Sequence, residues 1–161
     1  MGDHTETLQI DYDPDLISYE TLLEMAWNSH NPIRQPFSRQ YMNIIFVHDA
    51  EQEKLARESK AALEQMKKRT VSTEIVSFTR FYPAEDYHQK YYLQSVPPLM
   101  DAFEEFYPQF QDFVDSTAAA RINGYVAGHG DAASLSGELE TLGLSTEGAQ
   151  VLLERMKAWV L

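Results

Sequence analysis

The spacing of apolar residues changes period repeatedly between Thr5 and Phe78, and this alternation limits the architecture more than any other feature of the chain. From Thr5 to Tyr12 polar and apolar residues alternate, with Leu8, Ile10 and Tyr12 on one face, which predicts a half-buried strand. Asp13-Pro14-Asp15 ends it. Ser18 then serves as N-cap for a helix whose Leu22, Leu23, Ala26 and Trp27 share a face and which closes at Asn31-Pro32. After a loop with Pro32 and Pro36, Tyr41 to Val47 is too apolar to have a wet face, which predicts a central strand. Asp49 and Gln52 read as a capping box, and Leu55, Ser59, Ala62, Leu63 and Met66 as the inward stripe of a long charged helix. Lys67-Lys68-Arg69 falls at its end, where cations complement the helix dipole. Thr73 to Phe78 is the next strand. Strand, helix, strand, helix, strand predicts an α+β fold with helices packed on a sheet.

The second half is predominantly helical. Ala84 to Gln94 and Leu99 to Tyr107 read as helix or turn, and the spacing of Phe103, Phe106, Tyr107, Phe110 and Phe113 marks them as core. Gly124 to Gly130 reads as a flexible loop: it is glycine-rich but lacks the lysine and the strand-to-helix setting of a phosphate loop. Two helices split at Gly143 follow, the second capped by Ser145 and carrying Leu152, Met156, Trp159 and Val160 as an apolar stripe.

Composition excludes several functions. With 161 residues, a single domain of this size buries about 70% of its unfolded surface. The formal net charge of −12 repels a phosphate backbone, so nucleic acid is not an expected partner. No run reaches the roughly 20 apolar residues that span a bilayer, and the N-terminus has no signal-peptide pattern, so the expectation is a soluble cytoplasmic protein. The sequence contains no cysteine, which removes disulfides and thiolate metal sites, and its five histidines show no metal-binding spacing; neither metal nor cofactor is expected.

Two polar clusters stand out. In Phe81 to Tyr91, helical spacing would pair Asp86 with Lys90 and Glu85 with His88 on a solvated face, over a tyrosine stripe. Asp3-His4-Thr5-Glu6 heads the first strand, where a glutamate is ordinarily solvated.

His4-Thr5-Glu6, Tyr12-Asp13-Pro14, Ile17-Ser18-Tyr19-Glu20, Trp27 to Pro32, Gln40-Tyr41 before an apolar strand, and Phe81 to Tyr91 occur in an order and spacing that resemble the peptide-methionine (S)-S-oxide reductases, the A-type methionine sulfoxide reductases. The resemblance covers roughly residues 3 to 94, and Asn123 to Gly130 is similar to the family's glycine-rich tail. It implies a ferredoxin-like core and repair of oxidised methionine, in which a cysteine attacks the sulfoxide sulfur while a glutamate protonates the departing oxygen. By motif the acid is Glu6, and the groups that hold the sulfoxide are Asp86 and Tyr91. Protonating the oxygen makes the sulfur electrophilic, and a carboxylic acid in an apolar pocket can deliver that proton near neutral pH.

The same resemblance implies a Gly-Cys-Phe-Trp segment ahead of residue 5, together with a strand, a helix and another strand; Val126 stands where a resolving cysteine often follows Gly-Tyr. Sulfoxide reduction by this route needs a thiol that becomes a sulfenic acid and a second that resolves it, and serine is no reductant. The expected reading is therefore a remnant of a ferredoxin-like sheet in residues 1–130, inactive alone, with a helical extension in residues 131–161. Expected partners are peptide or free methionine sulfoxide, and a second copy or an intact reductase; the exposed sheet edge is expected to be covered by the helices from Ser134 onward or by a second subunit. The alternatives are a non-catalytic sulfoxide-binding or interaction module, and a chain whose native start lies upstream of Met1.

Overall fold

The computed structural model describes residues 4–158 and divides into two compact units, Met1–Phe81 and Tyr82–Leu161. The first contains helix α1 (Tyr19–Asn28), strand β1 (Ile44–Val47), helix α2 (Ala50–Lys67) and strand β2 (Glu74–Ser77). The strands pair in parallel, Ile44 opposite Glu74 through Val47 opposite Ser77, with α2 as their crossover. Leu23 and Trp27 of α1 and Ala56 of α2 bury together with Val47 and Val71, the core of this unit.

Both helices start where the sequence signals them. The Ser18 hydroxyl accepts the Thr21 N–H at 3.2 Å, and the Asp49 carboxylate accepts the Gln52 N–H at 2.8 Å while the Gln52 side chain takes the His48 N–H. At the other end of α2, Lys68 adopts a left-handed conformation (φ 51°) and its N–H returns to the Glu64 carbonyl. The inward stripe is narrower than expected: Leu55 and Leu63 are half-buried, whereas Ala62 and Met66 face outward, because among the described residues the sheet below α2 is two strands wide.

Two expectations for this unit fail. Residues 5–12 form no strand: among the described residues their single bond to other backbone groups runs from the Glu6 N–H to the Gln40 carbonyl at 2.8 Å. Tyr41 is not in β1 but in a 3₁₀ turn, Arg39–Tyr41, and β1 has β2 as its single partner among the described residues, so it is not a central strand.

Side chains at its ends and centre hold the loop before β1: Asn43 Nδ2 donates to the Arg34 carbonyl at 3.0 Å and the Ser72 hydroxyl to the Ile33 carbonyl at 3.2 Å. The Gln35 amide donates to the Asn43 and Ser72 carbonyls, both at 2.9 Å, and accepts the Asn43 N–H at 2.8 Å, so it completes the backbone pairing at the head of the sheet.

The second unit is helical: α3 (Tyr91–Gln94), α4 (Pro97–Phe106), α5 (Phe110–Asp115), α6 (Thr117–Val126), α7 (Ala132–Glu138) and α8 (Thr146–Ala158). Leu93, Leu99, Phe103, Phe113, Ile122 and Val126 form one buried cluster with Leu135, Leu142, Leu152 and Met156. Leu152 and Met156 therefore pack inside this unit, while Trp159 and Val160 of the predicted stripe lie outside the described residues. Phe103 and Phe113 are core as expected; Phe106 is exposed. The stretch read as a loop from Gly124 is helical as far as Val126, because Ile122, Tyr125 and Val126 supply α6 with a buried face. The helix starts on Ser116, whose hydroxyl accepts the Ala119 N–H.

Candidate functional site

Glu6 lies in the first unit, in exposed backbone just ahead of the unpaired segment. Its carboxylate accepts a hydrogen bond from Gln40 Nε2 at 2.7 Å, and its N–H donates to the carbonyl of the same residue, so Gln40 grips Glu6 at two points. The Thr5 hydroxyl donates to the Arg39 carbonyl at 3.0 Å, and Arg39 pairs with Glu74 of β2 at 3.3 Å. Glu6 is thereby tied through the 3₁₀ turn to the sheet, with Tyr41 exposed on that turn. Gln40-Tyr41 carries part of the sequence resemblance, but its grip on a residue 34 positions earlier has no local signature.

Asp86 and Tyr91 lie in the second unit. Asp86 opens a 3₁₀ turn that ends at His88; its carbonyl receives Gln94 Nε2 at 2.8 Å and its carboxylate is exposed. Tyr91 begins α3, exposed, with its ring edge-on to Tyr92 at 5.7 Å. The continuous helix that would pair Asp86 with Lys90 is interrupted: Lys90 is left-handed (φ 48°) and caps α3. Burial pushes the Lys90 ammonium below the usual lysine range, and the charge of Asp115 opposes that shift. The expected Glu85 and His88 pair is present at 3.9 Å. Among the described residues no group of three or more acidic or histidine side chains is gathered as a metal site would require.

His30, at the end of the Trp27 to Pro32 run, has both ring nitrogens engaged. Nδ1 donates to the Ala26 carbonyl at 2.7 Å, and Nε2 lies 2.8 Å from the Thr73 hydroxyl. The Thr73 carbonyl in turn takes Lys60 Nζ at 2.8 Å, so the ring belongs to a strut that joins α1, α2 and the residue ahead of β2. Among the described residues the buried Tyr19 hydroxyl has no hydrogen-bond partner, and burial, reinforced by Tyr12 and Asp49, raises its pKa.

The glycine-rich stretch is built around Tyr125. Its hydroxyl donates to Glu138, whose other oxygen takes Arg121 at 2.7 Å. Burial, then the hydrogen bond to Glu138 and the Glu138 charge, push the phenol up to about 12 against the opposing charge of Arg121. A folded-state pKa above the ordinary 10 stabilises the fold fully below pH 10, and that contribution is lost as pH climbs from 10 to 12. Titration followed at 295 nm is expected to show one of the nine tyrosines ionising last, with the melting temperature falling over the same interval.

Val126, next to it, is 2% exposed in the core. A cysteine placed there is shielded: V126C is expected to resist a thiol reagent in the folded state and to react fully only in denaturant. Rapid labelling of the native variant contradicts this packing.

Residues 1–121 match the family model for peptide methionine sulfoxide reductase. A Drosophila melanogaster protein called peptide methionine sulfoxide reductase is 44% identical over 149 residues, which cover 90% of this chain and 58% of that relative. Peptide methionine sulfoxide reductase A5 of Oryza sativa subsp. japonica is 38% identical over 134 residues, covering 79% and 52%. The rice protein called A2-1 is 45% identical over 93 residues, covering 55% and 50%. The chain spans about half the length of the curated relatives it matches. The matched stretch runs from Glu6 and its Gln40 clamp through Asp86 and Tyr91 into α6, and on that footing the chain belongs to the peptide methionine sulfoxide reductase family.

Proposed function

We propose that this chain recognises peptide or free methionine sulfoxide and supplies the proton-donating side of its reduction, and that it is inactive alone because it has no thiol. The observation that carries this reading is a family match over residues 1–121 in a sequence without cysteine. Glu6 is the proton donor; Asp86 and Tyr91 hold the sulfoxide oxygen. The overall change, sulfoxide plus two thiols to sulfide, disulfide and water, draws both electrons from sulfur, so carboxylate and phenol groups protonate and orient without reducing anything. Helices packed on the small β1–β2 sheet are compatible with an α+β remnant, which we place in residues 1–130 with residues 131–161 as its extension. This division follows the resemblance and differs from the two spatial units. Among the described residues no helix is long and apolar enough to cross a membrane; the reading places the protein in the cytoplasm, with an intact reductase or a second copy as the thiol-bearing partner.

The absence of cysteine also favours a second reading, a module that binds methionine sulfoxide without turning it over. Incubation of the chain with a methionine (S)-sulfoxide substrate and dithiothreitol separates the outcomes. The expected result is no turnover, together with shifts of the Glu6 and Gln40 amide signals on titration. Clear turnover by the chain alone overturns the proposed mechanism; absence of any binding overturns both readings.

A further inference from the structure

We propose that Met42 is a site of oxidation: hydrogen peroxide converts its thioether to a sulfoxide, whose oxygen draws Arg39 away from Glu74 and loosens the turn that carries Gln40. The proposal rests on the contacts of the Met42 side chain and not on the proton-donating role assigned to Glu6. Nη1 of Arg39 lies 3.8 Å from the Met42 sulfur and 3.3 Å from Oε2 of Glu74, so one nitrogen serves both acceptors. Met42 also closes the 3₁₀ turn: its N–H returns to the Arg39 carbonyl at 3.3 Å, and Asn43, next in the chain, accepts the Glu74 N–H at 3.0 Å. A change at this sulfur therefore acts where the turn meets the head of the sheet.

The two acceptors are unequal, and oxidation reverses their order. A thioether is a weak acceptor, so in the reduced chain Arg39 belongs to the carboxylate. That pair is slack. Its 3.3 Å separation exceeds the usual range of about 2.7–3.2 Å, and its side chains are 47% and 39% exposed, where ion pairs contribute little. A sulfoxide oxygen carries much of a negative charge, and a hydrogen bond to it from a cation is roughly twice as strong as a neutral one. The unbranched, flexible methionine side chain lets that oxygen swing to meet the guanidinium.

The step balances with peroxide as the sole oxidant. A sulfur lone pair attacks one peroxide oxygen, the O–O bond breaks, and the departing hydroxide takes the remaining hydroxyl proton, leaving sulfoxide and water; sulfur gives up the electron pair that the peroxide gains. One sulfur lone pair faces the Arg39 N–H, so oxygen is delivered to the other and one sulfoxide epimer is favoured. The remaining methionines set the comparison. Met25 and Met66 are 60% and 72% exposed, and among the described residues no hydrogen-bond donor meets either sulfur, whereas Met156 is 4% exposed within the helical core. Met42 is half-buried, open enough for a molecule as small as peroxide.

The test treats the full chain, with its methionine methyl groups carbon-13 labelled, with dilute hydrogen peroxide and follows each methyl signal. Met42 is expected to be oxidised while Met156 stays reduced. Its two epimers should form in a ratio of at least about two to one, as a weak hydrogen bond on one lone pair implies, while those of Met25 and Met66 form nearly evenly. In R39A the Met42 ratio should fall towards one. Exchange of the Glu6 N–H, which meets Gln40, should quicken about two- to fivefold in the oxidised chain, the factor that loss of an exposed ion pair allows. R39A should show that quickened exchange before any peroxide is added, and peroxide-treated M42L should not show it at all. Unchanged melting temperatures verify that both variants are folded. An even epimer ratio at Met42, a ratio that survives in R39A, Glu6 exchange that ignores oxidation or quickens equally in M42L, or a Met42 that oxidises no faster than Met156 overturns the proposal.

Discussion

A chain cut after Gly130 is expected to lose the fold of its second unit. Leu135, Leu142, Leu152 and Met156 are all buried in the cluster that contains Leu99, Phe103 and Ile122. Burying each large apolar side chain is worth about 1.5–3 kcal/mol, so removing four withdraws a total comparable with the whole stability of a small domain, about 5–15 kcal/mol. The apolar faces of α4 and α6 left behind would also lie open to water. Near-ultraviolet circular dichroism and limited proteolysis check this, with tyrosine and phenylalanine signals collapsing and cleavage appearing between Tyr91 and Val126. Unchanged solubility and melting temperature would show that residues 131–158 are dispensable and the burial misread.

Gly130→Ala is expected to destabilise the same unit by about 2–4 kcal/mol, through two costs that act at one atom. Gly130 sits at φ 85°, where a side chain is strained, and a Cβ built there would stand 2.6 Å from Cε1 of Tyr125. That ring cannot retreat easily, because it is almost fully buried and its hydroxyl is bonded to Glu138. Gly124, in the same glycine-rich stretch, has nothing within 4 Å of an added Cβ, so G124A provides the control. Denaturant melts of the two variants should therefore differ sharply. A G130A midpoint equal to that of G124A would mean that the Tyr125 ring yields without cost.

What could be read from the sequence was local. Ser18, Asp49 with Gln52, and Ser145 announce their helices because a cap is satisfied within three residues, and the structure uses each of them: the Gly148 N–H, for instance, meets the Ser145 hydroxyl at 3.0 Å. The strand Glu74–Ser77 is similarly within a residue of its expected ends. The segment from Thr5 to Tyr12 has an equally clear period but no ladder, since alternation records which face is apolar and is silent about whether a neighbour exists to pair with. Lys90 was illegible for a related reason. Nothing in Asp86 to Tyr91 forbids a helix, yet Lys90 breaks it with a left-handed conformation that no local residue type signals. Of the candidate site, the residue types were visible through resemblance, whereas the two-point clamp of Gln40 on Glu6 depends on a loop closing across 34 residues.

The parallel pairing of β1 with β2 also sets the order in which the first unit can assemble. Ile44 and Glu74 are partners thirty residues apart, and closing a flexible loop of that length costs about 3 kcal/mol of chain entropy before any ladder bond forms. Four paired positions are a small return on that. Helix α2, capped at both ends by its own neighbours, shortens the effective loop if it forms first, so the chain meets the barrier with its crossover already rigid. Folding of this unit is then gated by formation of α2, with the strands pairing afterwards: weakening the Asp49 cap slows folding, while weakening the β1–β2 ladder chiefly hastens unfolding.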